Sequence, residues 1–570
     1  MKKHKRQRET KPEIHAAETR SGVGMWPWAA GAGGFVLALF AYGPSLNGAF
    51  VLDDRALPFM TPGYETQPLS VWLTGTRQLL MFTYWLNYRM SELNPGIYHF
   101  TNVVLHSLGA FVLALVAARF LTWSGVGGKA RSTLAAFAGA LFLLHPIQTE
   151  SVAYVASRSE VLSVLLFLTA FALWLYQDEE PASLARTVLR SVVIVLLFGA
   201  AVLTKEHTVM LVLLVPLTDI FWERGGWRRN RILYSLFAVG AVFGAVVIRN
   251  VLRGANTAGF NLAEMPPATY FFTQCRVIWM YVRLFLLPFG LNADPDLALS
   301  RSLWEPGAIV GLIALLALAI AAWIYRARFP LGSFGVFVFL LLLAPTSSFM
   351  PIHDVYAERR LYLPFLGLAL IALELLRRVD FRTMKWIAIG LAAFYFVLTY
   401  QRSQVWASPL ALWTDTAAKS PKKVRPRFQL AFAYYEQGDC RQAAQHYQAA
   451  SQLDQPTYDL LADWALALDC AGRTAEAIPV ARRAADIENS AHARSTLGMY
   501  YAKTGELQAA LLELAAAEKI DPRYEMTYVY RGTIAERAGD RVTAANEYRK
   551  ALAINPRNEA AQSALARATQ

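Results

Sequence analysis

The sequence predicts an all-α protein in two parts, a polytopic membrane domain followed by a soluble helical array. Hydrophobic residues make up 55% of the 570 residues and charged residues only 17%. Long apolar runs separated by short basic loops fill the chain up to residue 403, which indicates repeated crossing of a bilayer. Beyond that point the composition is that of a soluble protein with a regular internal period, which indicates stacked helical repeats.

Residues 1–25 predict a basic, cytoplasmic N-terminus. The following apolar run, 26–46, is too long for a signal-peptide core and has no convincing cleavage site, so it predicts a retained anchor. The net charge of +13 arises from Lys and Arg in short loops between apolar runs. Because this is how membrane orientation is encoded, nucleic acid is not an expected partner, whereas membrane lipid is.

Eleven apolar runs in residues 26–403 predict a domain of about eleven spans, although some fall short of the roughly 20 residues that a bilayer requires. The predicted spans are 26–46, 99–120, 133–147, 160–176, 190–204, 208–222, 231–249, 306–325, 331–347, 361–376 and 384–401. Five loops are predicted to be cytoplasmic because they carry Lys or Arg. Their basic residues are Lys129 and Arg131; Arg186 and Arg190; Arg224, Arg228, Arg229 and Arg231; Arg326 and Arg328; and Arg377, Arg378 and Lys385. They alternate correctly with eleven spans, which places the array on the non-cytoplasmic side.

Residues 271–289 are apolar enough to cross the bilayer, but one more crossing would invert the orientation of everything downstream. Arg276 and Arg283 lie seven residues apart in this segment and so share one helical face. We therefore predict an interfacial or re-entrant helix here.

The period of the C-terminal part is set by Gly438, Gly472, Gly505 and Gly539, at spacings of 34, 33 and 34 residues. Ala follows each glycine after five and after twelve residues, which is the tetratricopeptide pattern. It predicts a linker at 404–424, four repeats at 425–558 that stack into a solenoid, and a capping segment at 559–570. Tyr435, Tyr500 and Tyr528 on the first helices could contact a bound acceptor or partner protein, or could be packing residues of the array.

Cys440 and Cys470 flank the turns of neighbouring repeats and could form a disulfide in an oxidising compartment. Buried free cysteines are also common, so both states are compatible with the sequence. Cys275 lies in an apolar segment and is expected to be a packing residue.

Polar residues gather at the ends of the predicted spans on the outer face. A charge at the centre of a membrane helix destabilises insertion by about 2.5–3.5 kcal/mol. Charges within or beside such helices therefore usually mark function. The groups are Asp53 and Asp54 with Arg77; His99 and Asn102; His145, Glu150, Arg158 and Glu160; Lys205, Glu206 and His207; and His353, Asp354, Tyr356, Glu358, Arg359 and Arg360.

Five stretches, together with the repeats, resemble the TMTC family of transmembrane and tetratricopeptide-repeat protein O-mannosyltransferases within the GT-C glycosyltransferases. They are FVLDDRA at 50–56, LNYRMSELNPGIYHFTNVVLH at 86–106, LHPIQTESVAYVASRSEVLS at 144–163, LTKEH at 203–207 and ERRLYLPFLG at 358–367. The chain departs from the family at Gln148, Ser157 and 76–78, which bears on the donor.

The resemblance implies an inverting transferase that moves a sugar from a polyprenyl-phosphate carrier to Ser or Thr hydroxyls of proteins. A hydroxyl is a weak nucleophile, so a carboxylate must take its proton as the bond forms. Asp53 or Asp54 would be this base, and analogy with related enzymes favours Asp53. The other acid would orient the acceptor or pair with Arg55 or Arg77.

The leaving lipid phosphate gains negative charge, so fixed cations are needed beside it. The candidates are Arg158, Lys205, Arg359 and Arg360. As alternatives, Arg359 and Arg360 could extend to the interface, and Lys205 could pair with Glu206. Substrate-positioning candidates are Arg77, His99, His145, Glu150 and Glu206, of which the two glutamates could instead cap helices or pair with Arg158 and Lys205.

No cofactor is expected, and a divalent metal is possible but not favoured. His99 and His106 lie seven residues apart instead of the three or four typical of ligands on one helical face. Three alternatives remain: a transferase acting on a lipid or glycan, a non-catalytic membrane-anchored scaffold, and a transporter. A transporter would show repeats in the membrane half, which the sequence lacks. The sequence favours a bacterial inner membrane, with a cytoplasmic N-terminus and a periplasmic array.

Overall fold

The computed structural model describes residues 26–75, 77–177, 183–222, 226–254, 259 and 265–570. Throughout these ranges the secondary structure is helical and contains no strand, which confirms the predicted all-α class. The predicted N-terminal segment 1–25 and the loop residue Arg224 lie outside the described residues.

The part of the chain predicted to be membrane-embedded folds into helices α1 to α15. They are α1 Trp26–Ala41, α2 Leu69–Trp72, α3 Gln78–Ser91, α4 Pro95–Trp123, α5 Gly128–Leu144, α6 Thr149–Ala153, α7 Arg158–Leu175, α8 Leu184–Thr204, α9 Leu211–Trp222, α10 Gly226–Gly254, α11 Pro267–Leu286, α12 Pro306–Ile324, α13 Pro330–Leu343, α14 Phe365–Leu376 and α15 Phe381–Val405. Each predicted span coincides with one of these helices.

Five helices within the described residues are long and apolar enough to cross a membrane. They are Pro95–Trp123, Val155–Leu175, Leu184–Thr204, Pro306–Ile324 and Phe381–Val405. A sixth crossing is possible if Gly128–Leu144 and Pro146–Ala153, bent by 48°, form one broken span. The remaining apolar helices are short, such as Pro330–Leu343 and Phe365–Leu376. The number of eleven spans therefore stays a prediction, because short helices do not by themselves reach across a bilayer.

The ambiguous segment 271–289 lies mainly in α11, which is not among those five helices. Its side chains bind the loop that follows α13: Gln274 donates to the Val355 carbonyl at 2.8 Å, and the buried Tyr281 hydroxyl donates to the Ala357 carbonyl at 3.1 Å. Whether α11 lies at the interface stays a prediction, but its packing fixes the loop before α14.

The C-terminal array consists of helices α16 to α25. They are α16 Pro409–Lys419, α17 Val424–Glu436, α18 Cys440–Ser451, α19 Tyr458–Cys470, α20 Thr474–Ile487, α21 Ala491–Thr504, α22 Leu507–Ile520, α23 Glu525–Arg537, α24 Arg541–Ile554 and α25 Glu559–Ala568. The predicted linker 404–424 thus contains a helix, α16, whose Leu412 and Trp413 are buried.

The four periodic glycines adopt positive φ angles between 76° and 89°, and each lies between the two helices of a pair. This left-handed conformation is strained for other residues, which explains the period. Ala443, Ala477, Ala510 and Ala544, each five residues further on, are fully buried because the paired helices approach closely there. The array therefore stacks α17 to α24 as four helical pairs, with α25 packed against the last.

Cys440 and Cys470 form a disulfide, with their Cα atoms 5.7 Å apart. It closes a sequence separation of 30 residues, for which the chain-entropy model gives about 3–4 kcal/mol of stabilisation.

We expect the Cys440→Ala and Cys470→Ala double variant to unfold its array at lower temperature than the wild type. Scanning calorimetry of the full chain in detergent, with and without reductant, measures this difference. Identical non-reduced transitions would mean that the bond contributes nothing.

Candidate active site

The turn Leu52–Ala56, which follows α1, places two adjacent acids in different environments. Asp54 is fully buried: its Oδ2 accepts the Val51 N–H at 3.0 Å, and its Oδ1 accepts the Ala156 N–H at 2.6 Å. Asp53 is exposed, and its backbone N–H donates to the Tyr154 hydroxyl at 2.9 Å. The exposed carboxylate of Asp53 also accepts a hydrogen bond from the Tyr154 hydroxyl and can still be reached by a substrate, while that of Asp54 fixes the turn.

Leu52, directly before the two acids, has a φ of +51°. A bulky residue in this left-handed region stores about 1–3 kcal/mol of strain and persists only where its surroundings hold it. The two hydrogen bonds of Asp54 supply that support. Strain of this kind clusters at functional sites, and here it lies beside Asp53.

Burial raises the pKa of Asp54 to about 7 from its ordinary 3.8; the backbone N–H groups of Val51, Ala156 and Val155 oppose this effect, and the charge of Asp53 adds to it. Since the folded-state pKa is the higher one, protonation of Asp54 stabilises the fold: the contribution is complete below about pH 4 and is lost as the pH rises through 7. We expect the melting temperature to fall more steeply between pH 5 and 8 for the wild type than for Asp54→Asn, which does not titrate. Equal slopes in a thermal unfolding series would contradict the raised pKa.

Arg359 and Glu150 form an ion pair beside this turn. Glu150 is buried, and its two oxygens accept the Arg359 backbone N–H at 3.0 Å and the Arg359 Nη1 at 2.5 Å. Burial opposes the charge of the guanidinium, but Glu150 outweighs it and holds the pKa of Arg359 above its usual range. The Arg359 side chain remains 26% exposed. It is thus a fixed cation with one open side, not an arginine extended to the interface.

Lys205 pairs with Glu160, not with its neighbour Glu206. Its Nζ lies 3.2 Å from Glu160 Oε1, and the Nε2 of His207 lies 3.4 Å from Glu160 Oε2. Glu206 instead accepts a hydrogen bond from Arg77 at 3.1 Å. Although burial favours the neutral form, Arg77 lowers the pKa of Glu206. Both loop cations therefore have carboxylate partners.

These groups meet around Arg359. The charges of Lys205 and Arg359 both act on Glu160. The charges of Asp53 and Arg359 both act on the Tyr154 hydroxyl. Tyr154 therefore links Asp53 with Arg359, and Glu160 links Arg359 with Lys205. We call these groups the candidate site: Asp53, Tyr154, Glu150, Arg359, Glu160 and Lys205.

Arg158 has a structural role, contrary to the prediction that it binds a donor phosphate. It is fully buried, with its Nε donating to Asn102 at 2.7 Å, its Nη2 to the Tyr98 carbonyl at 2.9 Å and its Nη1 to Thr83 at 3.2 Å. The Tyr84 ring covers the guanidinium at 4.6 Å. No face of Arg158 is left for a lipid phosphate.

Arg360 likewise has a structural role, because it stabilises the loop that precedes it. Its Nη1 donates to the Val355 carbonyl at 2.9 Å and to the Tyr270 hydroxyl at 3.1 Å, and its Nη2 donates to the Asp354 carbonyl. These bonds leave Arg359 as the phosphate candidate of the pair.

The two histidines predicted to position substrate are buried and bound to backbone groups. His99 Nε2 lies 2.9 Å from the Gly48 carbonyl. His145 directly follows α5. Its Nδ1 accepts the Ile147 N–H, and its Nε2 lies 3.0 Å from the Phe285 carbonyl. Both side chains therefore stabilise the fold and are not open to a ligand. Across the described ranges, no three His, Cys, Asp or Glu side chains are grouped as a metal site would need.

The array is docked beside the candidate site. Arg425, at the start of α17, donates from Nε to Asp294 at 2.6 Å and from Nη2 to Asp354 at 3.1 Å. Arg55, two residues after Asp53, pairs with Glu436 at the end of α17 at 2.8 Å. An apolar cluster seals the contact, with members from both parts of the chain: Val51, Ala153, Tyr154, Trp406, Leu412, Trp413, Ala417, Leu430 and Ala433.

Of the three tyrosines considered for protein binding, two are packing residues. Tyr500 is fully buried, and Tyr528 is 6% exposed, with its hydroxyl donating to the Pro522 carbonyl at 2.9 Å. Tyr435 on α17 is partly exposed. It is the one of the three that a partner could reach.

Sequence reasoning assigned no role to Tyr154, Glu160, Asp294 or Arg425. Tyr154 lies inside the stretch 144–163, so its position in a motif was the available signal. Asp294 and Arg425 are 131 residues apart. No local pattern indicates their contact.

The curated relatives of the chain are protein O-mannosyl-transferases. A Caenorhabditis elegans enzyme is 26% identical over 400 residues, covering 67% of this chain and 54% of that protein. Human TMTC1 is 25% identical over 512 residues, covering 76% and 56%, and human TMTC3 is 24% identical over 412 residues, covering 64% and 44%. The chain is similar to the human TMTC proteins at 24–25% identity. It spans about half the length of these relatives.

No family model matches the chain. Among solved structures, YrrB, a TPR protein with an unusual peptide-binding site, is 22% identical and covers 27% of this chain and 80% of its own, with a TM-score of 0.25. The Cut9 and Hcn1 hetero-tetramer structure covers 88% of this chain at 16% identity, with a TM-score of 0.26.

Proposed function

We propose that this chain is a membrane glycosyltransferase of the GT-C type that moves a sugar from a polyprenyl-phosphate carrier to Ser or Thr hydroxyls of proteins. The observation that carries the proposal is the exposed carboxylate of Asp53, which acts on the same Tyr154 hydroxyl as the partly exposed cation Arg359. Mannose is the sugar we propose, because the relatives are O-mannosyl-transferases.

The chemistry is a single displacement with inversion. The acceptor oxygen attacks the anomeric carbon while Asp53 takes the hydroxyl proton. The bond from that carbon to the phosphate oxygen breaks, and the lipid phosphate leaves with an added negative charge. Arg359 and Lys205 stabilise this charge, since preoriented cations act most strongly where charge develops.

The docked array supplies the acceptor in this proposal. Its first repeat contacts the catalytic turn through Arg55 and Glu436, so a peptide on that repeat lies near Asp53. The disulfide between Cys440 and Cys470 supports an oxidising compartment for the array. We propose a bacterial inner membrane with the array in the periplasm.

The test uses membranes that contain the full chain, labelled polyprenyl-phosphate mannose and proteins of the outer compartment. Label should appear on protein and be released by alkaline β-elimination, which cleaves Ser- and Thr-linked sugars. Membranes with the folded variant Asp53→Asn are the matched control. Wild-type membranes that transfer no label from mannosyl or glucosyl donors would overturn the proposal, and label on lipid alone would favour a lipid acceptor.

A further inference from the structure

A large groove lies at the end of the membrane part that is opposite the candidate site. It runs between α1, α4, α5 and α15 and has a volume of about 1690 Å³. The basic start of α5 borders it, whereas the other end of α5 leads to His145 and Glu150. With 17 residues, α5 separates the two ends by about 25 Å. The groove therefore belongs to neither the catalytic turn nor the array.

One rim of the groove carries a single sign of charge. Arg119 comes from α4, Lys129 and Arg131 from α5, and Lys385 from α15, and none of the described acidic residues lines the groove. None of the four forms an ion pair with a carboxylate of the described residues. Arg119 is held in place, with its Nε donating to the Leu175 carbonyl at 3.1 Å. The positive charges of these four side chains are therefore available to bind an anion.

A narrow apolar slot continues from the groove between α1, α4 and α5. Its volume is about 290 Å³, and it shares Pro27, Ala30, Phe111, Leu115, Ala136 and Ala140 with the larger groove. Gly31, Gly33 and Gly34 of α1 line it. A Cβ atom added at Gly33 would meet no atom within 4 Å, whereas one at Gly31 or Gly34 would meet Phe111 at 3.1 Å or Leu143 at 3.3 Å. The slot thus has free space beside Gly33 and apolar walls at Gly31 and Gly34, which suits a hydrocarbon chain.

We propose that this groove binds an anionic phospholipid, with its phosphate at the four cations and an acyl chain in the slot. Basic pockets between membrane helices recognise anionic head groups in this way. A neutral lipid would leave four cations unmatched, and a soluble anion would leave the slot unfilled. Residues 2–8 of this chain are an unsuitable occupant, because they carry five Lys or Arg and no acid. The proposal does not depend on transferase activity.

Native mass spectrometry of the full chain, purified in detergent and given phosphatidylglycerol or phosphatidylcholine, tests the proposal. We expect the wild type to retain phosphatidylglycerol selectively. The variant Lys129→Gln/Arg131→Gln/Lys385→Gln should weaken this binding about 100-fold, since each charge near a membrane surface contributes about fivefold. A second variant, Gly33→Leu, keeps all charges but fills the slot, and should also lose the lipid.

The matched control is Arg186→Gln/Arg326→Gln/Arg328→Gln, which removes three exposed charges that do not line the groove. It should retain the lipid as the wild type does. Equal retention of both lipids by the wild type, or equal loss in the control and the groove variant, would overturn the proposal. So would displacement of the lipid by inorganic phosphate, or undiminished binding in Gly33→Leu. Unchanged melting temperatures show that each variant is folded.

Discussion

Sugar transfer should fall by about 10²–10⁴-fold when Asp53 is replaced by Asn, while the protein stays as stable as the wild type. A positioned general base contributes a rate factor of this size, and Asn cannot take the hydroxyl proton. The Asp53 side chain is exposed, and Asn retains both contacts with Tyr154: the backbone N–H that donates to the hydroxyl, and a side-chain oxygen that can accept from it. The measurement is kcat for label transfer to an acceptor peptide, with thermal unfolding of the same samples.

Asp54→Asn is the control, because it should show the opposite combination. Asn offers only one oxygen where two backbone N–H groups now bind separate oxygens. One N–H would face an amide donor, and a buried N–H without an acceptor lowers the free energy of unfolding by about 1–3 kcal/mol. Transfer per folded molecule should fall less than in Asp53→Asn. Abolished transfer in Asp54→Asn, with normal transfer in Asp53→Asn, would exchange the roles of the two acids.

The fold could be predicted from the sequence where a structural requirement restricts the residue type at regularly spaced positions. A turn that requires positive φ selects Gly438 and its three counterparts, and close helix pairing selects the alanines that follow. The placement of helices along the membrane part could be predicted for the same reason, since apolar runs mark them. The number that cross a bilayer could not, because length and hydrophobicity leave short helices such as Phe365–Leu376 undecided.

The candidate site was only partly readable, because roles within it depend on contacts between distant residues. The difference between Asp53 and Asp54 arises from the N–H of Ala156, 102 residues away from Asp54. Arg158 opens an apolar helix in a way that suggests a ligand site, yet Tyr98 and Asn102 from another helix occupy its donors. Sequence can indicate that charges gather on one face, but it does not tell which of them remain open.

Arg359 gives the second large expected effect. Replacing it by Gln should lower kcat by about 10²–10³-fold, the usual loss when one stabiliser of a developing anion is removed. The same change leaves the buried Glu150 without its cation, and breaking a buried ion pair on one side lowers the free energy of unfolding by about 3–5 kcal/mol. A single substitution therefore mixes a catalytic effect with a structural one.

The double variant Arg359→Gln/Glu150→Gln separates these effects. Without a buried carboxylate it should regain most of the lost stability, because two neutral amides can hydrogen-bond to each other. Transfer should stay low, since Lys205 alone would then face the leaving phosphate. Arg360→Gln is the matched control: it breaks hydrogen bonds to the carbonyls of Asp354 and Val355, so it should destabilise the loop but preserve kcat per folded molecule. If transfer in the double variant returned together with stability, Arg359 would be a structural residue and Lys205 would be the remaining cation for the phosphate.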